Sequence, residues 1–408
     1  DSRWAHTPMY RATDDYHVTP NSYGFLRSYW NNNPEPEITR HMYDVCGLEV
    51  DQKAIPFCDT HYAVLNTTDL FEFLVYSPAF GHGPMHVQTG GIGGFCTEGY
   101  AAFKEKWHDV LYRAYTDEEI GDLLFSTAES YAPETVPTSI ENFREKYGYE
   151  QPVLNMMEKM VMLEYFHIYR TLWRSHMCAV DNLPQLLQCP ESCSSDTPVE
   201  ECKCYIRGLE DGSVDWEDVL PCVMQTSKLR VFNKLVPQEM LKDIVYLLHE
   251  NPVIEGEMVE SASPADILFW VIHPAIERLI LAKKLIQPGS TLPFGNFEVT
   301  PWTAEQDQWK EYSYYNQEAG ENKAYPDAYR CIGHAADDDV LPDKLELPSH
   351  FVSKADSDKS GTISNWEFYQ ALDLSKEDGN LDYVYDTFRW SHCDGKVTEN
   401  ANPSSLGG

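Results

Sequence analysis

Apolar residues recur at helical spacing through the middle of this chain. Between Tyr100 and Leu124 that spacing places Phe103, Trp107, Leu111 and Tyr115 on one face. A shorter helix is expected after Thr138-Ser139, from Ile140 to Tyr147. The strongest pattern runs from Val153 to Cys178, where Met156, Met160, Val161, Leu163, Phe166 and Leu172 make a helix apolar on most sides, suited to a core. Pro237 opens and Pro252 closes another helix, ending at Glu250, with Met240, Leu241, Ile244, Val245, Leu247 and Leu248 inside. A last one runs from Ser263-Pro264 to Ile286, with Ser263 as cap, Pro264 in the first turn and Pro288-Gly289 as terminator. The run Leu70 to Tyr76 reads as a strand or a buried turn. These patterns predict a mainly α protein.

Between the patterned stretches the composition changes. Residues 1–60 are rich in Pro, Asn, Tyr and acids, with little periodicity, and read as an irregular N-terminal arm pinned by a Cys46–Cys58 pair. Residues 61–300 form one mainly helical domain built on a bundle. Residues 179–235 interrupt it as a cysteine-rich insertion. Residues 301–345 are an acidic and aromatic linker, and 346–408 a separate small module.

Charge and cysteine content narrow the surroundings. A formal net charge of −34 repels nucleic acid and anionic membranes, and no apolar run approaches the length of a bilayer span. Eleven cysteines, six of them between Cys178 and Cys222 among turn formers, favour a disulfide-stapled insertion over zinc, because Cys189-x3-Cys193 and Cys202-x-Cys204 fit no common zinc module. The acceptor Asn66-Thr67-Thr68 predicts N-glycosylation at Asn66. Together these predict a secreted, extracellular glycoprotein.

The C-terminal module holds the cleanest motif of the sequence. Asp356, Asp358, Ser360, Ser364 and Glu367 fall at positions 1, 3, 5, 9 and 12 of a calcium loop, with the carbonyl of Thr362 at position 7. Gly361 supplies the sharp turn at position 6, and Phe351 and Phe368 suit the flanking helices of an EF-hand. Phe388 to Glu399 keeps the glycine and the apolar positions of such a loop. It has Trp390 and His392 where the first oxygens belong, so it reads as a degenerate mate packed against the first hand.

Two further segments carry the metal chemistry. His82 and His86 stand four apart, one face of a helical turn, in Ser77-Pro-Ala-Phe-Gly-His-Gly-Pro-Met-His86, with Gly90-Gly91 following. Far downstream, Asp266, Phe269, His273, Glu277 and Arg278 fall in register with one another. Together the segments resemble the second copper-binding half of the tyrosinase and hemocyanin family, where a His-x3-His helix ending near Gly-Gly meets a helix of the form Asp-x-x-Phe-x-x-x-His-x-x-x-acid-Arg-Leu. The resemblance implies a tyrosinase-like helical bundle, copper held by His82, His86 and His273, and oxidation of small phenols or catechols with dioxygen.

A type-3 copper centre needs three imidazoles per ion. Upstream of His82 lie His6, His17, His41 and His61, none on a convincing helical pattern. His167 and His176 have the spacing of a first-copper pair but follow the second-copper pair in the chain, and His108 and His249 read as structural. Three readings stay open. The chain is an active copper oxidase of phenols or catechols. Alternatively, it is a catalytically degenerate relative that serves as an extracellular structural or assembly protein among other subunits. In the third, it is a calcium-binding extracellular protein of another kind.

Overall fold

Helix α1 (Cys58–Leu65) is followed after a short turn by α2 (Leu70–Tyr76). In this computed structural model the apolar run is therefore helical, not the strand or buried turn expected of it. Asp69 decides the matter: it sits in extended backbone at the N-cap, and its carboxylate accepts the Glu72 N–H at 3.0 Å. Phe73 and Leu70 then face inward, fully buried. The structure describes residues 4, 6–11, 20–41, 44–49, 56–94, 96–116, 172, 186–223, 237–251, 254–286, 289–303, 355–356, 359–371, 385 and 387–397. The helix expected over 140–147, the one expected over 153–178 apart from the helical, buried Leu172, and the linker over 304–345 lie outside these.

Described in chain order, the remaining elements are strands β1 (Asp44–Val45) and β2 (Leu48–Glu49) ahead of α1, then α3 (Gly83–Gly90), β3 (Ile92–Gly93) and α4 (Cys96–Thr116). They continue with β4 (Leu187–Gln188), β5 (Tyr205–Ile206), α5 (Trp216–Val223), α6 (Gln238–Glu250), β6 (Ile254–Glu255) and α7 (Phe269–Leu285). Strands β7 (Leu292–Phe294) and β8 (Phe297–Val299) and helix α8 (Asn365–Ala371) complete the set. Helix is thus the main regular structure, and sheet is sparse.

The chain divides into two compact units, Asp1–Ile55 with Gly83–Ile272 and Gly407–Gly408, and Pro56–His82 with His273–Leu406. In the first, a four-stranded sheet of two-residue strands has the order β2-β1-β3-β6, with β1 parallel to β3 and the other pairs antiparallel. The N-terminal arm has a core of its own: Met9, Tyr23, Phe25 and Ile38 pack with Cys202 and Ala262. Arg27, wholly buried, pairs with Glu257 at 2.5 Å and donates to the carbonyls of Asn33, Glu35 and Glu37, which satisfies an irregular backbone that no ladder serves. Helix α6 buries Met240, Leu241, Ile244, Val245 and Leu247, as its pattern predicts.

The helix expected from Ser263 is broken. Ser263–Ala265 is a single 3-10 turn with Ala262 as its N-cap, and Asp266 returns to extended backbone before α7 begins at Phe269. The side chain of Asp266 accepts the Leu268 N–H at 2.9 Å and so restarts the helix.

In the second unit, Tyr62, Val64, Leu65 and Phe73 pack with Leu279, Ala282 and Ile286 of α7, Phe294 and Val299 of the β7–β8 hairpin, and Trp390, Cys393 and Val397. The hairpin turns through Gly295 at φ +59°, where a Cβ would stand 2.7 Å from the Cys393 carbonyl. Three side chains of the segment 388–397, Trp390, Cys393 and Val397, are therefore core and belong to this cluster. Ala355, Ile363 and Ala371 form another with Phe368, so among the described residues the buried side chains of the calcium loop and of the expected degenerate mate fall in separate clusters.

Among the described residues there are four disulfides: Cys46–Cys96, Cys58–Cys393, Cys189–Cys204 and Cys193–Cys202. The nested pair in the cysteine-rich insertion agrees with the disulfide reading. The expected Cys46–Cys58 bond is corrected: Cys46 lies beside the start of α4, and Cys58 meets a cysteine 335 residues away.

Candidate metal centre

Residues Ser77–His82 form a turn of π-helix, with one more residue per hydrogen-bonded loop than an α-turn. His82 is its last residue. Across from it, α7 presents His273 and, one turn on, Ile276. The approach is close because Gly81 has no side chain: a Cβ there would meet Ile276 Cδ1 at 2.9 Å. His82 and His273 consequently stand edge to face, ring centroids 4.9 Å apart, with ligand nitrogens within 4.8 Å of each other. Both rings are half-buried.

His86 lies on α3, four residues beyond His82 along an unbroken helical run. Its Nδ1 is 2.6 Å from the Met258 carbonyl. A carbonyl only accepts, so Nδ1 carries the proton and Nε2 keeps the lone pair. Burial lowers the pKa of this ring, with the Met258 carbonyl opposing the shift. Phe269 stands edge-on to it at 6.0 Å. A neutral imidazole oriented by a backbone carbonyl is the form in which histidine binds copper or zinc, so the donor chemistry fits such a metal.

The other positions of the second segment have defined partners. Asp266 is fully buried and takes two 2.7 Å hydrogen bonds from Arg40. Glu277 accepts from the Tyr385 hydroxyl at 2.9 Å, and Arg278 donates to the carbonyl of Thr387 while lying 4.7 Å over the Trp390 ring. These last two hold the C-terminal segment on α7.

The remaining histidines separate by surroundings. His6 is exposed beside Glu37, and His108 is exposed beside Asp109. His41 is half-buried against Gly91 and Gly93, and desolvation lowers its pKa. His249 is buried and accepts the Ile206 N–H at 3.1 Å, as a structural histidine does. His61 corrects the expectation that no upstream histidine is helical: it lies in α1, with Nε2 3.3 Å from the Gly81 carbonyl and its pKa lowered by burial. His17, His167 and His176 lie outside the described residues.

The calcium-type loop has its turn in place. Gly361 adopts φ +90°, which favours glycine, and Ile363 at position 8 is buried. The Asp356 carboxylate accepts the N–H groups of Ser360 and Gly361 at 3.0 and 2.9 Å. Glu367 accepts from the N–H and hydroxyl of Ser364 at 3.1 and 3.0 Å and so caps α8. Thr362 is exposed, and Asp358 lies outside the described residues. Asn66 ends α1 and is half-buried, with Thr67 buried behind it.

A second cluster escaped sequence reasoning. Cys58, His392 and Cys393 bring ligand atoms within 4.8 Å of one another. The adjacent pair His392-Cys393 was the only available signal, and nothing in the sequence connects it to Cys58. Cys58 and Cys393 are bonded to each other, so as a disulfide this group offers a metal one imidazole and no thiolate. No protein-family model, no curated protein and no solved structure matches the chain.

Proposed function

We propose that this chain is a secreted, tyrosinase-like copper-domain protein with a calcium-binding EF-hand loop, in which His82, His86 and His273 ligate copper. The observation that carries the reading is the edge-to-face approach of His82 and His273, two half-buried rings with nitrogens within 4.8 Å. His86 follows His82 by one helical turn in sequence, and its Nδ1–H on Met258 turns Nε2 into the ligating nitrogen.

Bound copper supplies the electron exchange between dioxygen and a phenol or catechol. The chain's part is to hold three neutral imidazoles in place and to keep them unprotonated, which the burial of His86 favours. Calcium belongs in the loop of Asp356, Asp358, Ser360, Thr362, Ser364 and Glu367, where three carboxylates suit moderate to weak affinity. Four disulfides and the acceptor Asn66 support an extracellular setting.

A second reading, a catalytically degenerate relative with a structural or assembly role, draws on Glu277 and Arg278. Both side chains are engaged in anchoring the segment 385–390.

Elemental analysis of the purified protein, counting copper, zinc and calcium per chain, tests the proposal. Copper that is lost in both His82→Ala and His273→Ala supports it, and catechol oxidation then separates the two readings. Calcium without copper removes the oxidase and leaves the structural role.

A further inference from the structure

The Cys58–Cys393 bond differs from the other described disulfides in what surrounds it. Cys58 is the first residue of α1, partly exposed, with Phe57 as an N-cap that offers no side-chain hydrogen bond. Cys393 is buried to 1% exposure. The exposed imidazole of His392 has a nitrogen within 4.8 Å of both sulfurs. His61, one turn further along α1, is half-buried, and His392 contributes to lowering its pKa.

A thiolate at a helix N-terminus gains from the helix dipole and from a neighbouring imidazolium, and it is then both a better leaving group and a stronger candidate for exchange. Asp59, in the same first turn, works against it, so the imidazolium of His392 is the decisive neighbour. No other described disulfide has this arrangement. Cys46 and Cys96 are both buried, and neither they nor the nested pair falls in a cluster with a histidine among the described residues. Cys193 is also partly exposed, so exposure alone does not set Cys58 apart.

We infer that Cys58–Cys393 is an exchange-active disulfide that reacts with dithiols, with Cys58 as the reacting sulfur and His392 as the group that stabilises its thiolate. One thiolate of the dithiol attacks Cys58 Sγ. The bond to Cys393 breaks, its electron pair goes to Cys393 Sγ, and that sulfur takes a proton from His392. The second thiol then attacks the reductant's own sulfur in the mixed disulfide and releases Cys58 as a thiolate, its proton passing to His392. Two electrons and one proton move from the dithiol monoanion to the pair, which ends as Cys393 thiol and Cys58 thiolate, and the dithiol leaves as a cyclic disulfide. Reduction unclips the segment 387–397 from α1, the element that carries His61. The inference does not depend on copper or calcium binding.

The test is partial reduction of the intact native protein with dithiothreitol, followed by acid quenching, alkylation and peptide mapping of each cysteine. Cys58 and Cys393 should be labelled together and first, about tenfold faster than Cys46–Cys96, Cys189–Cys204 and Cys193–Cys202. In the reduced protein, the pH at which Cys58 alkylation reaches half its maximum rate should lie below the usual thiol range, and His392→Gln should move it upward. The His392→Gln protein is first checked for a native circular dichroism spectrum; if it is not folded, His392→Asn replaces it in the same measurement. Earlier opening of any of the other three pairs overturns the inference. So does a Cys58 pH profile that the loss of the imidazole leaves unchanged.

Discussion

Arg40 closes on Asp266 through two parallel hydrogen bonds of 2.7 Å, Nε to Oδ2 and Nη2 to Oδ1. The carboxylate is fully buried, and the same oxygen that meets Nη2 also accepts the Leu268 N–H ahead of α7. One acid thus anchors the N-terminal arm and restarts a helix. Removing the cation leaves a buried carboxylate with a single backbone donor, which costs far more than the pair contributes as a net attraction. Arg40→Met should therefore destabilise the protein by about 3–5 kcal/mol in urea denaturation, and Arg40→Lys by less, since it keeps the charge but not the fork. Adding Asp266→Asn to Arg40→Met should recover part of the loss. A double mutant as unstable as the sum of its singles would show that the two residues act separately.

How much of this was readable in advance depends on the range of the interaction. The α6 pattern is local, and its five buried apolar residues among those described are ones that the spacing selects. Helix α2 was equally local, but its start lies in Asp69 and Glu72 and not in the apolar run, so a reading by hydrophobicity alone points to strand or turn. The break at Asp266 is different. Ser263-Pro264 has the chemistry of a helix start and makes one 3-10 turn, and Arg40, 226 residues away in sequence, engages the residue that ends it. Cysteine pairing is the extreme case, because connectivity follows from the tertiary fold and not from spacing. His82 and His273 could be nominated by their motifs. The π-turn and the space at Gly81 that bring them together have no signal in the sequence.

Glu260 is buried beside Glu257, and desolvation pushes its pKa up to about 7 from an ordinary 4.5, against the pull of hydrogen bonds from the Ser28 N–H and the Asn31 amide. A folded-state pKa above the unfolded value means that the folded protein binds the extra proton. This residue's contribution is then most favourable below pH 4.5 and is lost as pH rises through about 7. Glu260→Gln should raise stability at pH 8 relative to wild type by on the order of 2–3 kcal/mol and show little difference at pH 5. The comparison is made between variant and wild type at each pH, because His41, His61, His86 and His249, with lowered pKa values, give the opposite slope. Equal differences at pH 5 and pH 8 would rule out Glu260 as the titrating group.

Glu367 has two duties in the calcium loop. It caps α8 through Ser364, and it is the residue that would supply two oxygens to a bound ion. Isothermal titration should find calcium binding in the micromolar to millimolar range in the wild type. Glu367→Gln should weaken it by at least about tenfold while the cap, which an amide oxygen also makes, persists. Gly361→Ala should cost about 1 kcal/mol through its φ of +90°, with nothing within 4 Å of the added methyl to add a clash. Loss of binding accompanied by loss of α8 in Glu367→Gln would mean that the cap, and not the ligand, is what the substitution removes.

Lys283 is an ammonium group taken almost wholly out of water, with 2% of the residue exposed. Its Nζ donates to the carbonyls of Thr67 at 2.8 Å and Thr300 at 2.5 Å, and it stands 5.5 Å from the centre of the Trp302 ring. The Thr67 carbonyl belongs to the turn between α1 and α2, and Thr300 follows β8, so one side chain of α7 closes two loop ends whose carbonyls have no helix or ladder to receive them. Lys283→Met keeps the stem and its packing, removes the donors and relieves the cost of burying the charge. The packing is thus unchanged, which leaves the competition between two carbonyls that lose this donor and an avoided desolvation. Each buried carbonyl without a donor costs about 1–3 kcal/mol, so a net loss of about 2–4 kcal/mol is expected from urea denaturation. Lys283→Met at wild-type stability would show that desolvating the ammonium costs as much as its hydrogen bonds contribute, and that the turn after α1 is held by Thr303, whose N–H reaches the Thr68 carbonyl at 2.9 Å.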